Sequence, residues 1–263
     1  WHAKTGHAGL NHLKHALGTH ANLSGLDVKS TYCEGCAVAK PQSHPHSHGH
    51  SKSGGHGNMR EGEYMHFDNS GPFAWSPGNR RYRFVFIDYV TGFEVVFHAS
   101  HKSEAPQAFL KAKAIFKAQS GNDLRFVRGD SDSIFMSAQM QTIYTQANVV
   151  PSFSSPDDHS QNGRAENAVK RANRDTRTLM VDSGAPSFLW VEADNCRNHV
   201  YNHLASQKST DGYVSRMASM GGTLNSVYDP ELFMPFGCKV VVMIPTAARK
   251  SSKTMSQAVA WSG

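Results

Sequence analysis

The chain is organised around one stretch, Pro156-Asp157-Asp158-His159-Ser160-Gln161-Asn162-Gly163-Arg164-Ala165-Glu166-Asn167. Its proline and its Asn-Gly pair predict an exposed turn. Ser160 or Asn162 can cap a helix that follows the turn and runs to about Asp182. Glu166 therefore lies in the first turn or two of a predicted helix.

Two stripes of this predicted helix differ in character. At about 100° per residue, Lys170, Asn173 and Arg177 share the stripe of Glu166. A carboxylate among cations suits a site that holds a metal ion and the phosphate backbone on which the metal acts. The alternative is a solvated helix with an intrahelical Glu166–Lys170 pair, and the helix alone favours that alternative. The second stripe is predicted to pack and holds Ala165, Val169, Ala172, Thr176 and Leu179.

Two upstream aspartates change this balance. Asp68 follows the strand-like Tyr64-Met65-His66-Phe67 and precedes the turn Asn69-Ser70-Gly71-Pro72. Asp130 follows another strand-like segment, 124–129. Carboxylates at two strand ends and one on a nearby helix are what a two-metal phosphoryl-transfer site needs, because hard cations prefer oxygen ligands and must lie roughly 4 Å apart.

The pattern between Glu63 and Pro151 is strand, strand, strand, helix, strand, helix, strand. A hairpin is predicted from Tyr82–Tyr89 and Glu94–His98, which flank the turn Thr91-Gly92. Ser103 is the predicted cap of the first helix, which ends near Gln119 because Gly121 stops it. The remaining elements are predicted as strand Leu124–Val127, helix Ile134–Ala147, strand Val149-Val150 and a helix over 184–205. This pattern alone leaves several α/β folds open.

The N-terminal residues carry a candidate zinc site. His2 and His7 are five apart, and Cys33 and Cys36 are three apart. Two imidazoles and two thiolates form a closed tetrahedral set, whose role is folding rather than catalysis. The alternative is that these are unrelated surface residues. Other histidines nearby leave the ligand choice open, namely His12, His15 and His20.

Composition narrows the class of partner. The 27 Lys and Arg against 21 Asp and Glu give a net charge of +6, which favours a polyanionic partner. The longest apolar run, Val240-Val241-Val242-Met243-Ile244, is far too short to cross a bilayer, so no membrane partner is expected. Of the four cysteines, two form a C-x-x-C pair, which favours a metal site in a reducing compartment over a disulfide framework.

These motifs together resemble the integrases of copia-type (Pseudoviridae) LTR retrotransposons. The interval of 35 residues between Asp130 and Glu166 matches the retroviral-type Asp, Asp, Glu triad. The other matching segments are Trp1-His2-Ala3-Lys4-Thr5-Gly6-His7, Cys33-Glu34-Gly35-Cys36, Asp68 with Gly71-Pro72, Arg128-Gly129-Asp130, Gln161-Asn162-Gly163-Arg164-Ala165-Glu166-Asn167 and Phe236-Gly237-Cys238.

The resemblance implies a ribonuclease H-like mixed five-stranded sheet with flanking helices. It implies Asp68, Asp130 and Glu166 as ligands of two Mg²⁺ ions, or Mn²⁺ as a substitute, and it selects His2 and His7 for the zinc ion. The chain then divides into a zinc-binding module (1–40), a His-, Ser- and Gly-rich linker (41–60), the catalytic core (61–205), a connector (206–235) and a partial basic β module (236–263).

One departure from the family pattern follows Asp130. Relatives continue with Asn-Gly and an acidic residue, whereas this chain has Ser131, Asp132, Ser133 and Ile134 before Phe135. A weakened active site is one interpretation. Strand alternation would let residues 130 and 132 point the same way, so geometry alone does not choose the ligand. The family register chooses Asp130.

The implied activity is the joining of element cDNA ends to target DNA by transesterification. The resemblance also implies a homo-oligomer that is released from a polyprotein and acts in the nucleus after a stage in a cytoplasmic particle. Two alternatives are a nuclease or transposase that hydrolyses DNA and a silenced remnant that only binds it. The predicted DNA contacts are Lys170, Asn173, Arg174 and Arg177 in the core and Arg249, Lys250 and Lys253 near the C-terminal end.

Overall fold

A computed structural model of the protein describes residues 1–18, 32–40, 59–130, 132–153, 163–205, 207–209, 212–221, 233–242 and 259–261. Several predicted features lie outside the described residues. They are Ser131, the capping residues Ser160 and Asn162, nearly all of the linker, part of the connector, and the basic residues Arg249, Lys250 and Lys253.

A mixed five-stranded sheet forms the centre of the core, in the order β3-β2-β1-β4-β5. The first three strands pair antiparallel, whereas β4 and β5 run parallel to β1. The predicted succession of strands and helices and the mixed sheet are both confirmed. The strands are β1 Tyr64–Ser70, β2 Tyr82–Asp88, β3 Glu94–Ala99, β4 Phe126–Gly129 and β5 Val150–Phe153.

Helices flank this sheet and continue into the N-terminal module. They are α1 Leu10–Gly18, α2 Glu34–Ala39, α3 Ala105–Ser120, α4 Ala138–Gln146, α5 Gly163–Ser183, α6 Trp190–His203 and α7 Arg216–Ser219. Short antiparallel pairs follow the core, β6 Gln207–Ser209 with β7 Gly212–Val214 and β8 Val240–Val242 with β9 Val259–Trp261. Within the described residues, no helix combines the length and apolar character needed to span a bilayer.

The sheet buries both faces, because side chains alternate along each strand. On one face Phe67, Phe84 and Phe86 pack with residues of α3 and α4 into the main core. On the other face Val85 and Ile87 pack against α5. The stripe of α5 that was predicted to pack is buried throughout, at Ala165, Val169, Ala172, Thr176 and Leu179.

Two of the wrongly predicted strand boundaries bear on the candidate site. Asp68 lies inside β1 rather than after it, because Asp68 pairs with Val85 and the ladder with β2 continues to Ser70. The strand predicted from Leu124 begins instead at Phe126 and ends at Gly129. Asp130 therefore does follow a strand directly, as predicted.

Three helix starts were also predicted wrongly, and one of them is that of the helix predicted over 184–205, which begins at Trp190. Ser103 is not a cap, because it lies within a 3₁₀ turn and the helix begins at Ala105. In this turn the Glu104 carboxylate accepts hydrogen bonds from the backbone N–H groups of Ser100 and His101, at 2.7 and 3.0 Å. The next helix begins at Ala138 rather than Ile134, because Asp132 holds the intervening residues in a turn.

A buried network of charges, absent from the sequence predictions, fixes α5 and α6 on the sheet. Asp194 of α6 accepts hydrogen bonds from Arg83 at 2.9 Å, Arg197 at 3.0 Å and His98 at 2.8 Å. Glu94 binds Arg197 and also Arg171 of α5, the latter at 2.7 Å. Burial opposes ionisation of Asp194, but Arg197 and Arg83 outweigh it and hold the Asp194 pKa well below its usual range. Buried charges of this kind persist only when paired.

Candidate metal centres

The sheet register brings two of the predicted carboxylates to the same level. Strands β1 and β4 are parallel and pair His66 with Arg128. Continuing this register by two residues sets Asp68 beside Asp130. Two aspartates that are distant in the sequence therefore meet because their strands are neighbours.

A glycine allows the close packing below these aspartates. A Cβ atom at Gly129 would lie 2.3 Å from a ring carbon of Phe67, far inside van der Waals contact. Phe67 in turn packs on Phe135, with ring centroids 4.3 Å apart. The residues that immediately precede Asp68 and Asp130 are thus in contact, so the Arg128-Gly129-Asp130 motif has a steric explanation.

Glu166 lies in the first turn of α5, as predicted. Its carboxylate pairs with the Lys170 ammonium at 3.4 Å, with exposed fractions of 29% and 72% for the two side chains. The intrahelical pair of the alternative interpretation is therefore present. Glu166 also acts on the two aspartates, because its negative charge helps to raise the pKa values of Asp68 and Asp130.

The electrostatics of these carboxylates favour a bound cation. Burial, followed by the charges of Asp130, Glu166 and Asp132, raises the pKa of Asp68 to about 7, although the N–H of Asn69 donates to Asp68 at 2.7 Å. Burial also raises the pKa of Asp130. Carboxylate oxygens are the donors that Mg²⁺ and Mn²⁺ prefer, so this donor set fits the predicted ions.

Asp132 is engaged in a different way. One carboxylate oxygen accepts from the Lys102 ammonium at 2.7 Å and the Asn69 amide at 3.0 Å, and the other accepts from the N–H of Ile134 at 3.2 Å. Burial opposes ionisation, but these hydrogen bonds hold the pKa of Asp132 below its usual value. Because both oxygens of Asp132 are occupied, the geometry favours Asp130 as the candidate ligand.

The four predicted DNA contacts of α5 have different surroundings. Arg177 and Lys170 are exposed. The amide oxygen of Asn173 accepts a hydrogen bond from buried Arg83, and Arg174 donates to Asp175 at 2.9 Å. Lys170 and Arg177 are therefore the exposed cations among the four, which makes them the first candidates for phosphate contact.

The predicted zinc ligands converge. The candidate ligand atoms of His2, His7, Cys33 and Cys36 all lie within 4.8 Å of one another. Nε2 of His2 is 3.2 Å from the Cys36 sulfur, and Nδ1 of His7 is 3.4 Å from the Cys33 sulfur. Two imidazoles and two thiols at this spacing fit Zn²⁺. In the described part of the chain, no other group of three or more His, Cys, Asp or Glu ligand atoms converges this closely, and the carboxylates of Asp68, Asp130 and Glu166 are therefore farther apart than the zinc set.

Local structure explains this convergence. Cys33 caps the N-terminus of α2, and its sulfur accepts from the N–H of Cys36 at 3.5 Å, so one short turn brings both sulfurs together. His15, another histidine that the spacing left open, stacks instead on Tyr213. Sequence reasoning missed Asp182, whose carboxylate is 3.3 Å from Nε2 of His7. No motif marks Asp182, since only the packing of α2 on α5 brings it near.

The chain is similar to two curated proteins of Saccharomyces cerevisiae, the transposon Ty1-DR6 and Ty1-LR3 Gag-Pol polyproteins. Each is 26% identical over 251 residues, which is 92% of this chain. The match covers 14% of each relative, so the chain spans a small part of their length. No protein-family model matches.

A solved structure shares the fold. It is the simian T-cell lymphotropic virus intasome in complex with PP2A regulatory subunit B56 gamma, with a TM-score of 0.52, 17% identity, and coverage of 73% of this chain and 64% of that chain. The ribonuclease H-like integrase fold is thereby confirmed. The resemblance to copia-type retrotransposon integrases is confirmed as well.

Proposed function

We propose that this chain, which resembles the integrases of copia-type retrotransposons, joins DNA ends to target DNA by transesterification of a phosphodiester. The observation that carries the proposal is the grouping of Asp68, Asp130 and Glu166 from three elements, close enough for their charges to raise the pKa of Asp68. Negative charge concentrated in a half-buried place is unfavourable unless a cation is bound there. The transposon relatives support the same proposal.

Asp68, Asp130 and Glu166 would hold two Mg²⁺ ions, with Mn²⁺ as a substitute. Bound divalent ions would activate a DNA 3′-hydroxyl and stabilise the leaving oxygen. The protein's part is to supply deprotonated carboxylates at fixed positions. Asp68 must therefore lose its proton, whose pKa is about 7, before it can act as a ligand. Transesterification requires no covalent enzyme intermediate.

The phosphate contacts are assigned first to Lys170 and Arg177. Both are exposed on the helix that carries Glu166, and cations in that position neutralise DNA phosphates. Asn173 and Arg174 are second candidates, because Asn173 carries no charge and Arg174 is less exposed and donates to Asp175. Arg249, Lys250 and Lys253 are proposed contacts of the C-terminal part.

The remaining proposals concern context. His2, His7, Cys33 and Cys36 would hold a structural Zn²⁺ ion, whose binding free energy stabilises a module too small to fold on its own core. The chain is proposed to act as a homo-oligomer on element cDNA ends and target DNA. We propose that a polyprotein releases it and that the reaction takes place in the nucleus, after a stage in a cytoplasmic particle.

A strand-transfer assay with short duplex ends tests the proposal. We expect joined products with Mg²⁺ or Mn²⁺, and none with Ca²⁺ or without metal. Cleavage without joining would identify a hydrolytic nuclease instead. DNA binding without any metal-dependent product would identify a silenced remnant.

A further inference from the structure

The two ring nitrogens of His7 face different parts of the molecule. Nδ1 lies 3.4 Å from the Cys33 sulfur and 3.7 Å from the Cys36 sulfur. Nε2 lies 3.3 Å from a carboxylate oxygen of Asp182, in the last turn of α5. The ring therefore bridges the His2, His7, Cys33 and Cys36 cluster and the helix that carries Glu166.

Backbone packing holds Asp182 in this position. Helix α2 packs on α5, and Gly35 of α2 lies directly over Asp182. A Cβ atom at Gly35 would be 2.8 Å from the Cβ of Asp182, so only glycine permits this approach. The other carboxylate oxygen of Asp182 lies 3.8 Å from the Cys33 sulfur.

We propose that Asp182 is a positioning residue for the zinc site, acting through His7. With its proton on Nε2, His7 donates a hydrogen bond to Asp182, which leaves the Nδ1 lone pair directed at the metal. The carboxylate orients the ring and increases the basicity of Nδ1. This inference rests on the zinc site proposed above.

His2 has a comparable but local partner. Its Nδ1 lies 3.0 Å from the carbonyl oxygen of Ala8, within the same module, and its Nε2 faces the Cys36 sulfur. Only His7 is oriented from the catalytic core. The His2 contact with Ala8 therefore stabilises the N-terminal module itself, whereas the His7 contact with Asp182 holds the module on α5.

Coupling between metal and core follows from this arrangement. The His7–Asp182 hydrogen bond exists only when the module is docked on α5. Zinc should therefore bind more tightly to the docked state and, by reciprocity, stabilise docking by the same free energy. Because α5 also carries Glu166 at its other end, zinc would rigidify the helix that presents a catalytic carboxylate.

The test is the zinc affinity of the full chain, measured by competition with a chromogenic chelator. Asp182→Ala should weaken zinc binding about 10- to 100-fold, the usual effect of losing such an outer partner. Asp182→Asn, which keeps an acceptor oxygen, should fall between Asp182→Ala and the parent. Asp175→Ala is the matched control, because it removes the same charge from the same helix while its hydrogen bond is to Arg174. Cys33→Ser provides the reference for loss of a direct ligand.

Docking is measured independently by hydrogen exchange of α1 and α2 in the zinc-loaded chain. Asp182→Ala should speed exchange there and leave the sheet protected. Gly35→Ala changes no ligand and should produce the same exchange pattern by forcing α2 away from Asp182. Parent-like zinc affinity and exchange in Asp182→Ala would overturn the inference. A parent chain that binds no zinc would overturn the zinc site itself, whereas the strand-transfer assay tests the proposed activity separately.

Discussion

The two candidate metal centres contrast in how far they are assembled. The ligand atoms of His2, His7, Cys33 and Cys36 already converge, whereas the three carboxylates do not, although the charge of Glu166 helps to raise the pKa values of Asp68 and Asp130. Neutral thiols and imidazoles hydrogen-bond to one another, so they can gather without a cation. Carboxylates repel, and gathering them costs free energy until a cation is bound. The set of His2, His7, Cys33 and Cys36 is therefore suited to a resident structural ion, whereas the carboxylates would converge only when the proposed ions bind.

The two centres also differ in how the sequence encodes them. Cys33 and Cys36 meet through a single capped turn. Asp68 and Asp130 meet only because β1 and β4 are neighbours, and Glu166 joins them because α5 packs on β2. A local motif specifies the first centre, whereas the whole sheet specifies the second.

The largest effect is expected from Glu166→Gln. If Glu166 were only a surface residue, this change would have no effect on activity, and the carboxylates would not form a second metal centre. The amide keeps the shape but loses the charge on which metal binding depends. Strand transfer in Mg²⁺ should fall on the order of a thousandfold, since several kcal/mol of transition-state stabilisation are lost. DNA binding should not weaken. Lys170→Ala is the matched control, because it breaks the same ion pair but should mainly reduce DNA affinity and its salt dependence.

If the Glu166→Gln protein still joined DNA at the parent rate, the ion pair with Lys170 would be the remaining role of Glu166 in the parent. Such exposed pairs contribute about 0.5 kcal/mol. The solvated-helix interpretation would then be correct, and the proposed integrase activity would lose its third carboxylate.

A smaller effect, on stability, tests the raised pKa of Asp68, which comes first from burial and then from the neighbouring carboxylates. The pKa of Asp68 is about 7 in the folded protein, against an ordinary value of 3.8 for an aspartate. Between these values the folded chain keeps a proton that the unfolded chain has released. The stabilisation of the folded state by the protonated Asp68 carboxyl group is therefore complete below about pH 4, and it is lost as the pH rises through 7. Asp68→Asn removes this dependence.

Urea unfolding of the metal-free protein between pH 5 and 8 measures how the free energy of unfolding depends on the ionisation of Asp68. The parent should lose stability relative to Asp68→Asn as the pH rises toward 7, by at most about 1.4 kcal/mol per pH unit for one proton. Parallel profiles for the two proteins would show that Asp68 ionises normally and that its surroundings do not raise its pKa.

Much of the fold could be predicted because its signals are periodic. The packing stripe of α5 and the order of strands and helices follow from spacing alone. The charged network of Glu94, Asp194 and Arg197 could not be predicted, since each residue appears as an ordinary surface charge until the fold pairs it. The helix predicted from Ile134 began late for a related reason. Asp132 uses its side chain and carbonyl to hold a turn, and a polar residue of this kind competes with helix formation.

The same limit applies to the two centres. Cys33 and Cys36 could be assigned from their spacing, and Asp130 from the family register. Asp182 could not, because its relation to His7 depends on how closely α2 approaches α5 at Gly35. Residues that orient ligands from another element leave no pattern in the sequence.

The smallest effect is expected from Asp132→Asn, set against Asp130→Asn. Both remove one carboxylate charge, two residues apart, but only Asp130→Asn should reduce strand transfer by orders of magnitude. Asp132→Asn mainly breaks a partly exposed pair with Lys102, so stability should change by less than about 1 kcal/mol and joining by less than about tenfold. Lys102→Ala should be worse than Asp132→Asn, because it leaves the Asp132 charge unneutralised near Asp68, where it disfavours ionisation. Combining the two changes should therefore recover activity lost in Lys102→Ala. If Asp132→Asn abolished joining while Asp130→Asn preserved it, the ligand would be Asp132, and the ion pair with Lys102 would have to open for the reaction.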